Sequence, residues 1–263
     1  MKIEQLVMDN LREGVFCGKS QPFAEEWYSQ LGAWLDGGQL RGQIARNDEG
    51  EAIGFVLYYP IENVPMEVGG DGLYMVQCLQ VKPSHDKSHV VKALIESAIE
   101  DARGNGASGI VTEGLREEEP LNEHVSATFL ETIGLTKGES RGIGTLYYVV
   151  FNNETDEPKY LPKRFDPPVT ESKLRVDILD CGLCYVGIHN RETVKQAVER
   201  SESQPIELVV HNQSTRQAVI DKGLSTGVFI DGKLTFFRGP VSEQQVMDAI
   251  DIADSARKRA IDK

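Results

Sequence analysis

A nine-residue apolar run, Leu73-Tyr74-Met75-Val76-Gln77-Cys78-Leu79-Gln80-Val81, meets a polar turn and then a helical period. That succession constrains the fold more than any other part of the chain. The run is apolar on both alternating faces, which predicts a strand buried on both sides. From His89 to Arg103 the residues Val90, Val91, Leu94, Ile95, Ala98, Ile99 and Ala102 recur at helical spacing. Gly104 to Gly106 stops the helix, and Ile110 to Thr112 supplies another short strand. The expected fold class is α/β (α+β), with a mixed central sheet.

Other segments of the first half follow the same logic. Pro22 to Leu35 suggests a helix with Phe23, Trp27, Leu31 and Trp34 on one side, most simply a core face. Leu40 to Arg46 and Ala52 to Tyr59 read as a hairpin around Asn47-Asp48-Glu49-Gly50. Glu123 to Ile133 reads as a helix ended by Gly134, and Gly144 to Phe151 as a final strand. Arg116 to Pro120 reads as a solvated acidic loop.

Between Phe151 and Pro168 the chain turns polar and rich in proline, with Pro158, Pro162, Pro167 and Pro168. Such a stretch disfavours both helix and central strand. We therefore expect a domain over residues 1–151, a linker over 152–170 and a second domain over 171–263. In the second half Leu174 to Leu179 is a strand by alternation, and a helix is expected from Asn190 to Arg200. Ile206 to His211 is a strand, and Ser214 to Lys222 a helix ended by Gly223. Val228 to Ile230, Asp231-Gly232 and Lys233 to Phe237 form a hairpin, and Ser242 to Lys258 a closing helix. The order is β-α-β-α-β-β-α.

Charge narrows the partners. The formal net charge is -13, which opposes a nucleic-acid or anionic-membrane surface. A small anionic ligand stays possible, because one local cationic pocket suffices. No apolar run approaches the roughly 18 residues of a membrane span, and Met1-Lys2-Ile3-Glu4 lacks a signal pattern. Four cysteines in 263 residues are too sparse for a disulfide scaffold. A cytoplasmic compartment is the expectation.

The order strand, strand, long strand, turn, helix, strand, helix, strand over roughly the first 150 residues resembles the GNAT N-acetyltransferase family. The resemblance implies that acetyl-CoA donates an acyl group to a small-molecule or peptide amine. In the family a Gln/Arg-x-x-Gly-x-Gly/Ala turn caps the helix, where free N–H groups and the helix end hold the cofactor pyrophosphate. The matching positions here are Asp86, His89 and Val91, and all three depart from that pattern. Lys87, Lys92 and His89 offer compensating positive charge. The resemblance therefore assigns cofactor binding to Leu79 and Val81 on the strand and to Lys87, Ser88, His89, Val90, Val91 and Lys92 at the helix start. Phe129-Leu130-Glu131-Thr132-Ile133-Gly134 resembles the family's Phe-Tyr-x-x-x-Gly segment, with Leu130 where a tyrosine often protonates the leaving thiolate.

Transfer needs a base for the amine proton. Glu62 and Glu67, after Tyr59, are the candidates; the alternative for each is a solvated carboxylate. Cys78 is either a core cysteine or a thiol facing the acyl site. His85 and His89 straddle a turn without a third ligand, so no metal is expected. A catalytically degenerate binding module is the alternative to an enzyme, resting on Asp86, His89, Val91 and Leu130.

From about Leu174 onward the chain resembles a small thioredoxin-like domain. The carriers are Cys181-Gly182-Leu183-Cys184 after a strand and the later Gly223-Leu224-Ser225-Thr226-Gly227-Val228-Phe229 segment, where Gly227 stands in the family's proline position. The fusion of the two resembles the YoaP-like group. Cys181 and Cys184 are candidates for thiol–disulfide chemistry, for half of a soft-metal site with His189, or for plain structural cysteines.

Overall fold

The computed structural model describes residues 1–83, 85, 87–115, 127–170, 172–202, 205–237 and 239–261. Asp86, the acidic loop 116–120 and the first turn of the helix expected from Glu123 lie outside the described residues. The chain divides into two compact units. The first holds Met1–Gln21, Tyr28–Val64 and Val68–Leu161; the second holds Pro22–Trp27, Pro65–Glu67 and Pro162–Lys263. No helix among the described residues is long and apolar enough to cross a membrane.

The first unit is built on β1 (Lys2–Gln5), β2 (Arg41–Arg46), β3 (Ala52–Pro60), β4 (Val68–Gly69), β5 (Leu73–Val81), β6 (Gly109–Leu115), β7 (Thr136–Arg141), β8 (Gly144–Val150) and β9 (Lys159–Tyr160). Seven of them form one sheet in the order β1-β2-β3-β5-β6-β8-β7, and β4 pairs with β9. Only β5 and β6 run parallel in the large sheet; the other pairings are antiparallel. Its helices are α1 (Leu11–Gly14), α2 (Ala24–Asp36, from Tyr28 onward in this unit), α3 (Lys87–Gly104) and α4 (Ala127–Thr132). The mixed α/β class expected from the sequence is the one observed.

Helix α3 spans the crossover between the two parallel strands, as a parallel pair requires. Its apolar stripe, Val90, Val91, Leu94, Ile95 and Ala98, packs on Ala45, Ile53, Val56, Val76 and Ile110. Gly54 allows the close approach: a Cβ there would stand 2.9 Å from Val90 Cγ1. The opposite face of β3 carries Phe55, edge-on to Phe16 at 5.0 Å, and Tyr59, edge-on to Trp34 at 5.8 Å. Strand β5 departs from the expectation of burial on both faces. Leu73, Met75 and Val76 are buried, but Gln77 to Val81 are only half-buried. Strands β1 and β7 were not legible: β7 is mostly polar and exposed. Within the segment read as a linker, Lys159–Tyr160 is strand and pairs with Val68–Gly69.

The second unit follows the order β10 (Leu174–Asp180), α5 (Tyr185–Arg200), β11 (Ile206–Asn212), α6 (Arg216–Lys222), β12 (Gly227–Ile230), β13 (Lys233–Phe236) and α7 (Glu243–Ile261). The sheet order is β11-β10-β12-β13, with β10 and β11 parallel. Its core joins Leu174, Val176, Ile178, Val228 and Ile230 to Val194 and Ala197 of α5 and Val246 and Ile250 of α7. Asp231 and Gly232 both take positive φ, 49° and 78°, the two-residue turn that an Asp-Gly pair favours. Helix α5 starts at Tyr185 rather than at Asn190. Cys184 holds the extended N-cap conformation, φ -129° and ψ 139°. Gly187 lets the first turn close on the end of β10, since a Cβ there would stand 2.7 Å from Asp180 Oδ1.

Candidate active site

The two parallel strands part company midway. Their register runs from Leu73 opposite Gly109 to Val76 opposite Thr112 and stops there. Strand β5 continues along β3 as far as Val81 opposite Gly54, while β6 continues along β8 as far as Leu115 opposite Gly144. The cause is a bulge. Leu57 pairs with Cys78 and Tyr58 with Val76, so Gln77 is an extra residue on β5. A bulge bends its strand and increases local twist. The sheet therefore splits at Gln77 on one side and Glu113 on the other, and Cys78, Leu79 and Val81 lie on the β5 arm of the split.

Helix α3 begins at Lys87, two residues earlier than its apolar period suggested, because polar residues fill its first exposed turn. Lys87, Ser88 and His89 are exposed there, and the turn holds no acidic side chain. A helix N-terminus presents N–H groups outside its own ladder and a partial positive charge. The predicted contributors Val90 and Val91 are different. Their side chains are 3% and 2% exposed and sit in the core, so they offer backbone only and place no isopropyl group over the helix start. Lys92 is exposed and pairs with Glu96 at 3.8 Å. Leu130, in the position of the family's tyrosine, is fully buried in the same core.

Sequence reading missed a cluster on the β6 arm. Glu113 is the first β6 residue past the last pairing with β5, and alternation puts it on the face opposite Ile110, away from α3. The Tyr160 hydroxyl donates to Glu113 Oε1 at 2.5 Å. The Tyr160 backbone N–H donates to Glu139 Oε2 at 2.8 Å. The Arg141 guanidinium lies 4.2 Å from the Tyr160 ring centroid, and its Nη1 donates to the Leu161 carbonyl at 2.7 Å. Gly144 makes room for the carboxylate: a Cβ there would stand 2.2 Å from Glu113 Oε1. The signal was faint, a lone acid inside an otherwise apolar strand, with its tyrosine partner hidden in a proline-flanked segment.

The two carboxylates singled out from sequence lie elsewhere. Glu62 accepts a bond from the Gly72 N–H at 2.5 Å, just before β5 begins. Gly72 is five residues from Gln77, roughly 17 Å along an extended strand. Glu67 belongs to the second unit, is 2% exposed and accepts from the Ser225 N–H at 3.1 Å. Within the first unit Glu62 therefore stands away from the split, and Cys78 stands beside it, half-buried and opposite Leu57. In the second unit Cys181 is buried and Cys184 half-buried, neither in a disulfide. Among the described residues no group of three or more His, Cys, Asp or Glu could hold a metal ion.

Residues 7–122 match the model of a family described as the acetyltransferase (GNAT) family. Among solved structures, the chain is similar to an acetyltransferase from Bacillus anthracis in complex with acetyl coenzyme A, at 18% identity and a TM-score of 0.34, covering 43% of this chain and 64% of that one. It is similar to the GNAT family N-acetyltransferase YhbS from Escherichia coli in complex with CoA, at 14% identity and a TM-score of 0.43, covering 60% and 88%. It is also similar to a GNAT family acetyltransferase from Brucella melitensis in complex with acetyl-CoA, at 16% identity and a TM-score of 0.39, covering 60% and 94%. The chain thus spans just under two thirds of the first of these and most of the other two. No curated protein matches the chain.

Proposed function

We propose that the first unit, whose residues 7–122 form a GNAT acetyltransferase domain, moves an acetyl group from acetyl-CoA to an amine. The split of β5 from β6 beside the start of α3 is the observation that carries this reading. A diphosphate suits the acid-free first turn of α3, with Lys87 and His89 exposed beside it. The thioester arm suits the β5 edge over Cys78, Leu79 and Val81, where β6 has turned away. When bound, acetyl-CoA supplies an activated acyl carbon.

The chain's own residues supply position and proton transfer. Glu113 stands where the strands part and faces away from α3. We assign it, in place of Glu62 or Glu67, as the base that takes the amine proton. Tyr160 holds the Glu113 carboxylate in one orientation through the 2.5 Å bond, and Gly144 keeps that space clear. Buried Leu130 has no proton to give, so the leaving thiolate takes its proton from water or from another hydroxyl. The acceptor is a small-molecule amine; a protonated amine suits the carboxylates Glu113 and Glu139 beside Tyr160. We further infer that the second unit is thioredoxin-like, a reading supported by its β-α-β-α-β-β-α order, its strand order and the Cys-x-x-Cys turn.

The test is release of free CoA by the full chain with acetyl-CoA and a panel of polyamine, aminoglycoside and amino-acid acceptors. Amine-dependent release that vanishes in Glu113→Gln supports the assignment. Release that persists in Glu113→Gln overturns the base, and no release with any acceptor at millimolar acetyl-CoA counts against the activity.

A further inference from the structure

Arg141 closes β7 directly opposite Gly144 of β8. A Cβ on Gly144 would stand 2.2 Å from Glu113 Oε1 and 2.8 Å from the Tyr160 hydroxyl. Residues paired across neighbouring strands share a face, so Arg141, Glu113 and Tyr160 lie on the same side of the sheet, away from α3. Tyr160 sits between the other two. The Arg141 guanidinium lies 4.2 Å from its ring centroid, and its hydroxyl end holds Glu113 at 2.5 Å. The length of a tyrosine side chain therefore separates the cation from the carboxylate.

The guanidinium is only partly used. Its Nη1 donates to the Leu161 carbonyl at 2.7 Å. Its Nη2 is buried and has no hydrogen-bond partner, and among the described residues Nε donates to nothing either. No carboxylate among the described residues pairs with it, although the chain holds 41 acidic against 28 basic residues. The nearby acids answer Tyr160 instead: Glu139 accepts from its backbone N–H and Glu113 from its hydroxyl. A cation with unspent buried donors costs stability unless an anion completes it. The edge left over, Nε with Nη2, is the fork that takes a carboxylate bidentately. Arg141 as a whole is half-buried, so that edge is within reach of a ligand.

We propose that Arg141 binds a carboxylate on the acceptor, so that the amine acetylated beside Glu113 belongs to a free amino acid. The proposal rests on acetyl transfer by the first unit with Glu113 as its base, and it names the acceptor class of that site. The amine and carboxylate of an amino acid lie a few bonds apart and reach both ends of Tyr160 at once. A polyamine offers Arg141 no anion and brings a second cation towards it. In the transfer the amine nitrogen, its proton passed to Glu113, forms the new C–N bond as the thioester C–S bond breaks. The leaving sulfur takes up a proton, and the product is an N-acetyl amino acid whose carboxylate stays on Arg141. That contact is made before and during the reaction alike, so it acts on KM more than on kcat.

The experiment uses the full chain with the common L-amino acids and with the amide of each, which keeps the amine and loses the negative charge. Release of free CoA from acetyl-CoA gives the kinetics, and thermal shift without acetyl-CoA reports binding by itself. The expected result is an amino acid whose kcat/KM exceeds that of its amide by about tenfold or more, with a melting temperature raised by the acid and not by the amide. In Arg141→Gln the KM for the acid should rise about tenfold more than the KM for the amide, and the thermal shift should vanish. A purely structural role under the Tyr160 ring would slow acid and amide alike. The wild-type comparison of acid with amide stands even if Arg141→Gln fails to fold. Amides used as well as acids by the wild type, or equal changes for both in Arg141→Gln, overturn the proposal and leave acetyl transfer in place. No CoA release with any acceptor, beside an Arg141-dependent shift by the acids, overturns acetyl transfer and leaves the carboxylate site; no release and no shift overturns both.

Discussion

The Tyr160 hydroxyl and the Glu113 carboxylate meet at 2.5 Å, although 47 residues separate them in sequence. The contact joins the short strand after the sheet to the arm of β6 that has left β5. It fixes a carboxylate beside the split without satisfying both of its oxygens through Tyr160. Glu113→Gln keeps the shape and removes the base. It should lower kcat about a hundredfold or more while leaving the Kd for acetyl-CoA within about twofold. Steady-state kinetics alongside calorimetric binding checks both halves of that statement.

Tyr160→Phe removes the bond but keeps the ring under Arg141. A positioning role predicts a smaller fall in kcat, about tenfold, with the KM for acetyl-CoA unchanged. A purely structural role would lower thermal stability and leave kcat in place at temperatures where the protein stays folded. Comparing the kinetics and the melting curve of the same preparation separates the two.

Position 91 and position 89 should behave oppositely. Val91 is a core residue, so Val91→Ala should destabilise the first unit by about 1–3 kcal/mol without weakening acetyl-CoA binding at temperatures where the protein stays folded. His89 is exposed at the helix start, so His89→Gly should leave stability within about 1 kcal/mol and weaken acetyl-CoA binding. Urea denaturation and binding titrations on the two variants measure the contrast.

Arg41 donates to both oxygens of Asp101, at 2.6 and 2.7 Å, and Tyr58 adds a hydroxyl at 2.7 Å. Burial pushes the Asp101 carboxyl up, but the Arg41 guanidinium with the Tyr58 and Asn105 donors more than offsets it and leaves the carboxyl below its usual range. A carboxyl depressed on folding stabilises fully above the unfolded value of about 4 and loses that contribution as pH falls through the lower folded value. Asp101→Asn should therefore cost about 2 kcal/mol near pH 7, and the gap to wild type should narrow steadily below about pH 4. Melting temperatures of both proteins between neutral and acidic pH test the sign. A gap that widens on acidification contradicts it.

Much of this architecture is legible in the sequence, and the reasons are local. The apolar period of α3 and the Asp231-Gly232 turn write their own geometry. So does the Asn47–Gly50 connection of the β2–β3 hairpin, where Gly50 takes φ 84°. Polar edge strands do not: β7 pairs with β8 through its backbone, and its exposed side chains carry no alternation of their own. The site is less legible than the fold. The bulge at Gln77 arises from the pairing of β5 with β3 and has no signature in β5 alone. Glu62 and Glu67 share the loop after β3, yet one bonds Gly72 and the other belongs to the second unit. The early start of α5 depends on Gly187 approaching Asp180, a contact between elements rather than a property of either.

The central claim is that the α3 start and the β5 arm still bind a CoA thioester despite Asp86, His89 and Val91. Isothermal titration of the full chain with acetyl-CoA tests it most directly. The account predicts one site per chain, a Kd between about 1 μM and 1 mM, and affinity that falls as salt rises because the ligand is anionic. No heat and no thermal shift at millimolar acetyl-CoA would contradict it.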